Sequence, residues 1–64
     1  MQYFKDASRN QQVEEAARLV AAASKEYKTE KDPEAKRLAG VAYQQASSDF
    51  NDLFARLMRE EAAE

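Results

Sequence analysis

Thr29-Glu30-Lys31-Asp32-Pro33-Glu34 is the stretch whose reading decides the fold. Proline has no backbone N–H and holds φ at about −65°, so it suits the first position of a helix and disrupts an interior one. The carboxylate of Asp32, just ahead of it, can accept hydrogen bonds from the unpaired N–H groups at a helix start. Glu34 adds negative charge where the helix dipole is positive. The residue before a proline is also driven out of the α region, which ends any helix arriving from upstream. The stretch therefore predicts a helix that stops near Thr29, a turn over 30–32, and a second helix that starts at Pro33.

Upstream, Val13, Ala16, Ala17, Val20, Ala23, Ser24 and Tyr27 recur at three- and four-residue spacing, the period of one helix face. Ser8 with Gln11 three residues on resembles a capping box. Tyr3, Phe4 and Ala7 can carry the helix further upstream, and a first helix over about 3–29 is expected. Downstream, Ala35, Leu38, Ala39, Ala42, Ala46, Phe50, Leu53 and Leu57 form a stripe, widened by Tyr43, Phe54 and Met58. That predicts a helix over about 33–62. With one glycine and one proline in 64 residues, there is little else to break either element. The expected fold is all-α: residues 1–64 as one antiparallel two-helix hairpin that associates into a helical bundle.

Both helices rise about 1.5 Å per residue, so folding at the turn should pair residues whose numbers sum to about 61. Tyr27 then meets Ala35, Ser24 meets Leu38, Val20 meets Ala42, Ala17 meets Ala46 and Val13 meets Phe50. The expected seam is Val13, Ala17, Val20 and Tyr27 against Leu38, Ala42, Ala46, Phe50, Leu53 and Leu57. Phe4 falls near Leu57 and Met58.

The second helix carries more apolar surface than one neighbour can cover. Leu19 and Val41 lie off the seam on one side, and Tyr43, Phe54 and Met58 on the other. With Phe4, these residues are the expected interface to another copy. A two-fold pair, giving a four-helix bundle, is the first expectation; a small ring is the second. Gly40 inside a helix costs about 1 kcal/mol relative to alanine, so it reads either as a point of close approach by a neighbouring backbone or as a tolerated surface glycine.

Composition narrows the chemistry. There is no cysteine and no histidine, so thiolate and imidazole chemistry are excluded. No cofactor, metal, small-molecule substrate or catalytic activity is expected. Asp49 and Asp52 lie three apart on one helical face, a spacing that could hold a hard cation or an acid/base pair, but a solvated face is the expected reading. Lys25, Lys28, Lys31, Lys36 and Arg37 gather near the turn, yet Glu26, Glu30, Asp32 and Glu34 interleave with them, and net charge is −2. No nucleic-acid partner is expected. No apolar run reaches the roughly 18 residues of a membrane span, and Met1-Gln2-Tyr3-Phe4-Lys5-Asp6 lacks the pattern of a secretory leader. No membrane partner is expected, and a cytoplasmic or recombinant setting is the default.

Two resemblances follow from particular strings. Phe50, Phe54 and Leu57 stand at i, i+4 and i+7 within Phe50-Asn51-Asp52-Leu53-Phe54-Ala55-Arg56-Leu57. This resembles the transactivation-domain helices that dock in the groove of ubiquitin ligases, with Phe54 where that motif has tryptophan. It implies a module presenting one amphipathic helix to a different protein. Asp32-Pro33-Glu34-Ala35, Glu14-Glu15-Ala16-Ala17-Arg18-Leu19 and Arg59-Glu60-Glu61-Ala62-Ala63-Glu64 together resemble computationally designed helical proteins. The leading expectation, drawn from the apolar surface that two helices leave uncovered, is a structural, self-assembling protein; the binding module is the alternative.

Overall fold

The computed structural model describes residues 3–64; Met1 and Gln2 lie outside them. Two helices, α1 (Ala7–Thr29) and α2 (Pro33–Ala62), pack against each other as an antiparallel hairpin, and there is no strand among the described residues.

The turn is built from carboxylates. Asp32 caps α2, its Oδ2 accepting from the Ala35 N–H at 2.9 Å. Glu30 does the same for the turn itself: its Oε1 accepts from the N–H groups of Lys31 and Asp32 at 3.0 and 3.1 Å. Its own N–H donates to the Glu26 carbonyl at 2.9 Å, closing α1. Glu30 and Asp32 are both extended, and no described residue has positive φ. The reversal thus needs no glycine, because side-chain oxygens satisfy the N–H groups that the turn leaves open.

The first helix begins at Ala7, not at Tyr3 as expected, and Ser8 is not its cap. Asp6 takes that place, with extended backbone and a carboxylate that accepts from the Ser8 N–H at 2.7 Å. Residues 3–6 instead form a short strap that folds back across the open end of the hairpin. The capping-box reading failed because Asp6, two residues earlier, offers a charged acceptor to the Ser8 N–H and starts the helix ahead of Ser8.

The register also differs from the expected one. Tyr27 lies against Gly40, more than a turn beyond Ala35, with ring carbons that would stand 3.1 and 3.3 Å from a Cβ at that position. The reason is geometric. Every Cα–Cβ bond tilts toward its own helix N-terminus. In an antiparallel pair the side chains of α1 therefore lean away from the turn and those of α2 lean toward it. Contacts fall between residues further apart in number than equal rises imply. Leu38, 54% exposed, and Ala42, also exposed, consequently lie outside the seam, while Ala39 is buried in it. Val13, Ala17, Val20, Ala46, Phe50, Leu53 and Leu57 are buried or half-buried, and Tyr27 caps the turn end with its outer edge exposed.

The core sits at the open end. Phe4, Val13 and Leu57 form it, with Phe50, Leu53 and Phe54 packed around them. Leu57 is 1% exposed, a burial that contributes about 1.5–3 kcal/mol. Between this cluster and Tyr27 the seam is lined by alanine, serine and valine.

Gly40 is therefore the seat of a ring and not a point of backbone contact. A methyl group there asks the Tyr27 ring to move a few tenths of an ångström, and the ring's exposed side leaves it room. We expect Gly40→Ala to stabilise the hairpin by about 0.5 kcal/mol, the helix-propensity gain less the cost of moving the ring, as read from thermal or urea unfolding. A loss of stability would mean that the ring is fixed in place.

Candidate functional site

Three surfaces carry side chains that the hairpin leaves available or holds in an unusual way: the strap, a cluster of charges beside it, and an apolar flank.

The strap is organised by Asn10. Its Oδ1 accepts from the backbone N–H of Tyr3 and of Phe4, both at 2.9 Å, and its Nδ2 donates to the Phe4 carbonyl at 2.7 Å. One side-chain amide thereby pairs with both backbone groups of Phe4, as a neighbouring strand would. The Lys5 N–H donates to Glu61 Oε2 at 3.0 Å, which ties the strap to α2. With its backbone satisfied, Phe4 can be buried to 7% exposure. Its ring lies 5.4 Å from that of Phe54, tilted, and the Tyr3 ring meets Phe54 edge-on at the same distance. Phe50 stacks on the far side of Phe54 at 6.1 Å. Such aromatic pairs add about 0.5–1.5 kcal/mol beyond their burial.

These placements correct one expectation. Phe4 was expected at an interface with another copy; it is buried in its own chain, because Asn10 lets the preceding backbone turn inward. Leu57, expected in the seam and also offered as a helix-in-groove anchor, is buried, and Phe50 and Phe54 are half covered. No periodic signal reports such a strap. Asn10, in the polar run Asn10-Gln11-Gln12, carried the only trace of it.

Beside the strap, Arg9 reaches from α1 into three glutamates of α2. It hydrogen-bonds Glu64 and lies 3.6 Å from Glu61 and 3.8 Å from Glu60. The hydrogen bond to Glu64, reinforced by the surrounding carboxylates, raises the Arg9 pKa, while the same bond from Arg9 lowers that of Glu64. Each side stands at the wrong end of its own helix dipole: a cation near the start of α1, anions at the end of α2. Bringing them together cancels both mismatches, and only the closed hairpin does so.

The flank expected from Leu19 and Val41 is present in part. Leu19 is 67% exposed and Val41 53%. A groove of about 530 Å³ runs between the helices beneath Leu19, floored by Ala16, Ala23, Ala42 and Ala46 and edged by Gln45, Asp49 and Leu53. Val41 lies outside that groove. On the opposite side the expected patch is divided. Tyr43 joins Tyr27 and Gly40 around one hollow, and the exposed Met58 joins Tyr3 and Phe54 around another.

Three of the remaining polar candidates are engaged in local contacts. Asp49 accepts from Gln45 at 2.9 Å. Arg37 pairs with Glu34 at 2.6 Å, and Lys36 Nζ lies 5.1 Å from the centre of the Tyr27 ring. Among the described residues no group of three or more acidic side chains is arranged to hold a metal ion, and no helix is long and apolar enough to cross a membrane. No family model, curated protein or solved structure matches this chain.

Asn10→Ala should cost about 2 kcal/mol, three hydrogen bonds lost against a small gain in helix propensity. Hydrogen exchange should show the Phe4 amide deprotected and the α2 centre unchanged. The charge cluster makes a separate prediction. Because the Glu64 pKa is depressed in the folded chain, its contribution is complete above the ordinary glutamate value of about 4.3 and is lost as pH falls through the lower folded value. The gap between the urea midpoints of the native chain and Arg9→Gln should therefore hold at neutral pH and close below about pH 4. A gap that stayed constant to pH 2 would remove Glu64 from the pairing.

Proposed function

We propose that this chain is a structural protein that works by self-association, pairing through the Leu19 flank into a four-helix bundle. The observation that carries this reading is excess surface. A compact monomer of 7.3 kDa should expose about 4,200 Å², whereas this chain exposes 4905 Å². The excess, about 700 Å², is close to the ~800 Å² that each partner buries in a standard interface. Its shape gives the reason. The molecule spans 48 × 17 × 11 Å, a single layer of helices with no second layer to cover either face.

The flank has the form such a contact needs. Leu19 stands beside a trough of alanines, so two copies related by a two-fold axis can each seat a leucine in the other's trough. Small residues in the floor permit close helix approach. Leu38, one turn before Ala42 on α2, is 54% exposed and extends the same apolar face toward the turn. The other reading, an amphipathic helix presented to a different protein by Phe50, Phe54 and Leu57, has those three side chains turned toward the chain's own core.

Light scattering coupled to size exclusion should return twice the monomer mass over a dilution series. Leu19→Glu combined with Val41→Glu should return the monomer mass while circular dichroism stays helical, because neither side chain contributes to the hairpin's core. A native chain that remains monomeric at every concentration, or a double variant of unchanged mass, defeats the proposal.

A further inference from the structure

The strap lies in a groove of the hairpin and is held there largely through its backbone. Asn10 reads the backbone of Tyr3 and Phe4, Glu61 reads the Lys5 N–H, and Phe54 takes the edge of the Tyr3 ring. Nothing in these contacts requires strap and groove to belong to one molecule. The strap joins α1 through Asp6, whose backbone is extended at φ −82° and ψ 122°. Rotation there swings residues 3–5 away without unwinding a helical turn.

We infer that the chain exchanges its strap: the groove of one copy takes Tyr3–Lys5 of a second. A second copy is the fitting occupant because it carries the one segment seen to match this groove, and because every contact given up in leaving is regained on arrival. Exchange of identical elements between copies is a low-cost route to association. The balance is set by concentration alone. A segment tethered by a short link sees an effective concentration of about 1 mM, so the strap stays on its own chain at micromolar levels and exchanges as the chain approaches millimolar. This contact is separate from the Leu19 flank and does not depend on it.

The absence of cysteine from the chain makes the test clean. Lys5 and Ala62 are both exposed and line one hollow of about 430 Å³, and the strap's contacts use only the backbone of Lys5, so cysteines there leave strap, groove and buried core untouched. A full-length chain carrying both Lys5→Cys and Ala62→Cys should close its disulfide within one molecule at about 10 µM in a glutathione buffer. A mixture of the two single variants at about 1 mM should give the mixed disulfide dimer, at least ~10-fold above its yield at about 10 µM and above either like-with-like dimer. Asn10→Ala in both partners should reduce that yield to the like-with-like level. Exchange is overturned if the mixture gives no mixed dimer while the double variant closes, or if the double variant fails to close. It is equally overturned if Asn10→Ala leaves the mixed dimer undiminished, since random collision would then explain it. Repeating the mixture with Leu19→Glu in both chains separates the two surfaces: an unchanged yield supports exchange, whereas its loss assigns the association to the flank alone.

Discussion

A single layer of two helices has no inside. Any side chain in the seam is one helix radius from water on either face, and burial beyond that needs a third element. Here the third element is four residues long. The strap brings Phe4 over the open end, where it closes on Val13 and Leu57, and these three are the large side chains that water no longer reaches. The price is exposure of a peptide group to an apolar surface, and Asn10 offsets it by pairing with both sides of that group. Asn10 therefore governs the aromatic cluster, and the cluster closes the open end.

The charges work toward the same arrangement from another direction. Glu60, Glu61 and Glu64 are poorly placed for α2 alone, and Arg9 is poorly placed for α1 alone. An isolated helix of either sequence would be weakened at that terminus. The hairpin turns both weaknesses into contacts, so the ends favour closure over separate or parallel helices. Exposed ion pairs add little to stability in general; their effect here is on which arrangement is chosen.

Much of this was legible in the sequence and some was not, for physical reasons. Asp32-Pro33 showed where the chain reverses, since few residues other than proline restrict both themselves and their predecessor. The helix faces were legible from their spacing. The register was not, because equal rise per residue ignores the tilt of the side chains, and it moved Leu38 and Ala42 out of the seam. The strap escaped notice because side-chain amides and carboxylates bonding to backbone leave no periodicity. Glu30, which holds the turn together, read as one charge among several for the same reason. Of the surfaces proposed for contact, Leu19 and Val41 stand exposed as the spacing indicated, whereas Phe4 and Phe54 are largely taken up within the chain.

The strap also sets an order of events during folding. Its bond to Glu61 and the neighbouring pairing of Arg9 with Glu64 join residues 56 and 55 positions apart, nearly the full length of the chain. Closing so long a loop is entropically slow before shorter contacts have drawn the ends together. The carboxylate-built turn can form first and zip the alanine-lined seam outward, and the aromatic end then closes last. During synthesis this delays sealing until nearly the whole of α2 has emerged. Until that closure Phe54 lacks the cover of Tyr3 and Phe4 and has only Phe50, one turn away on the same helix, stacked against it.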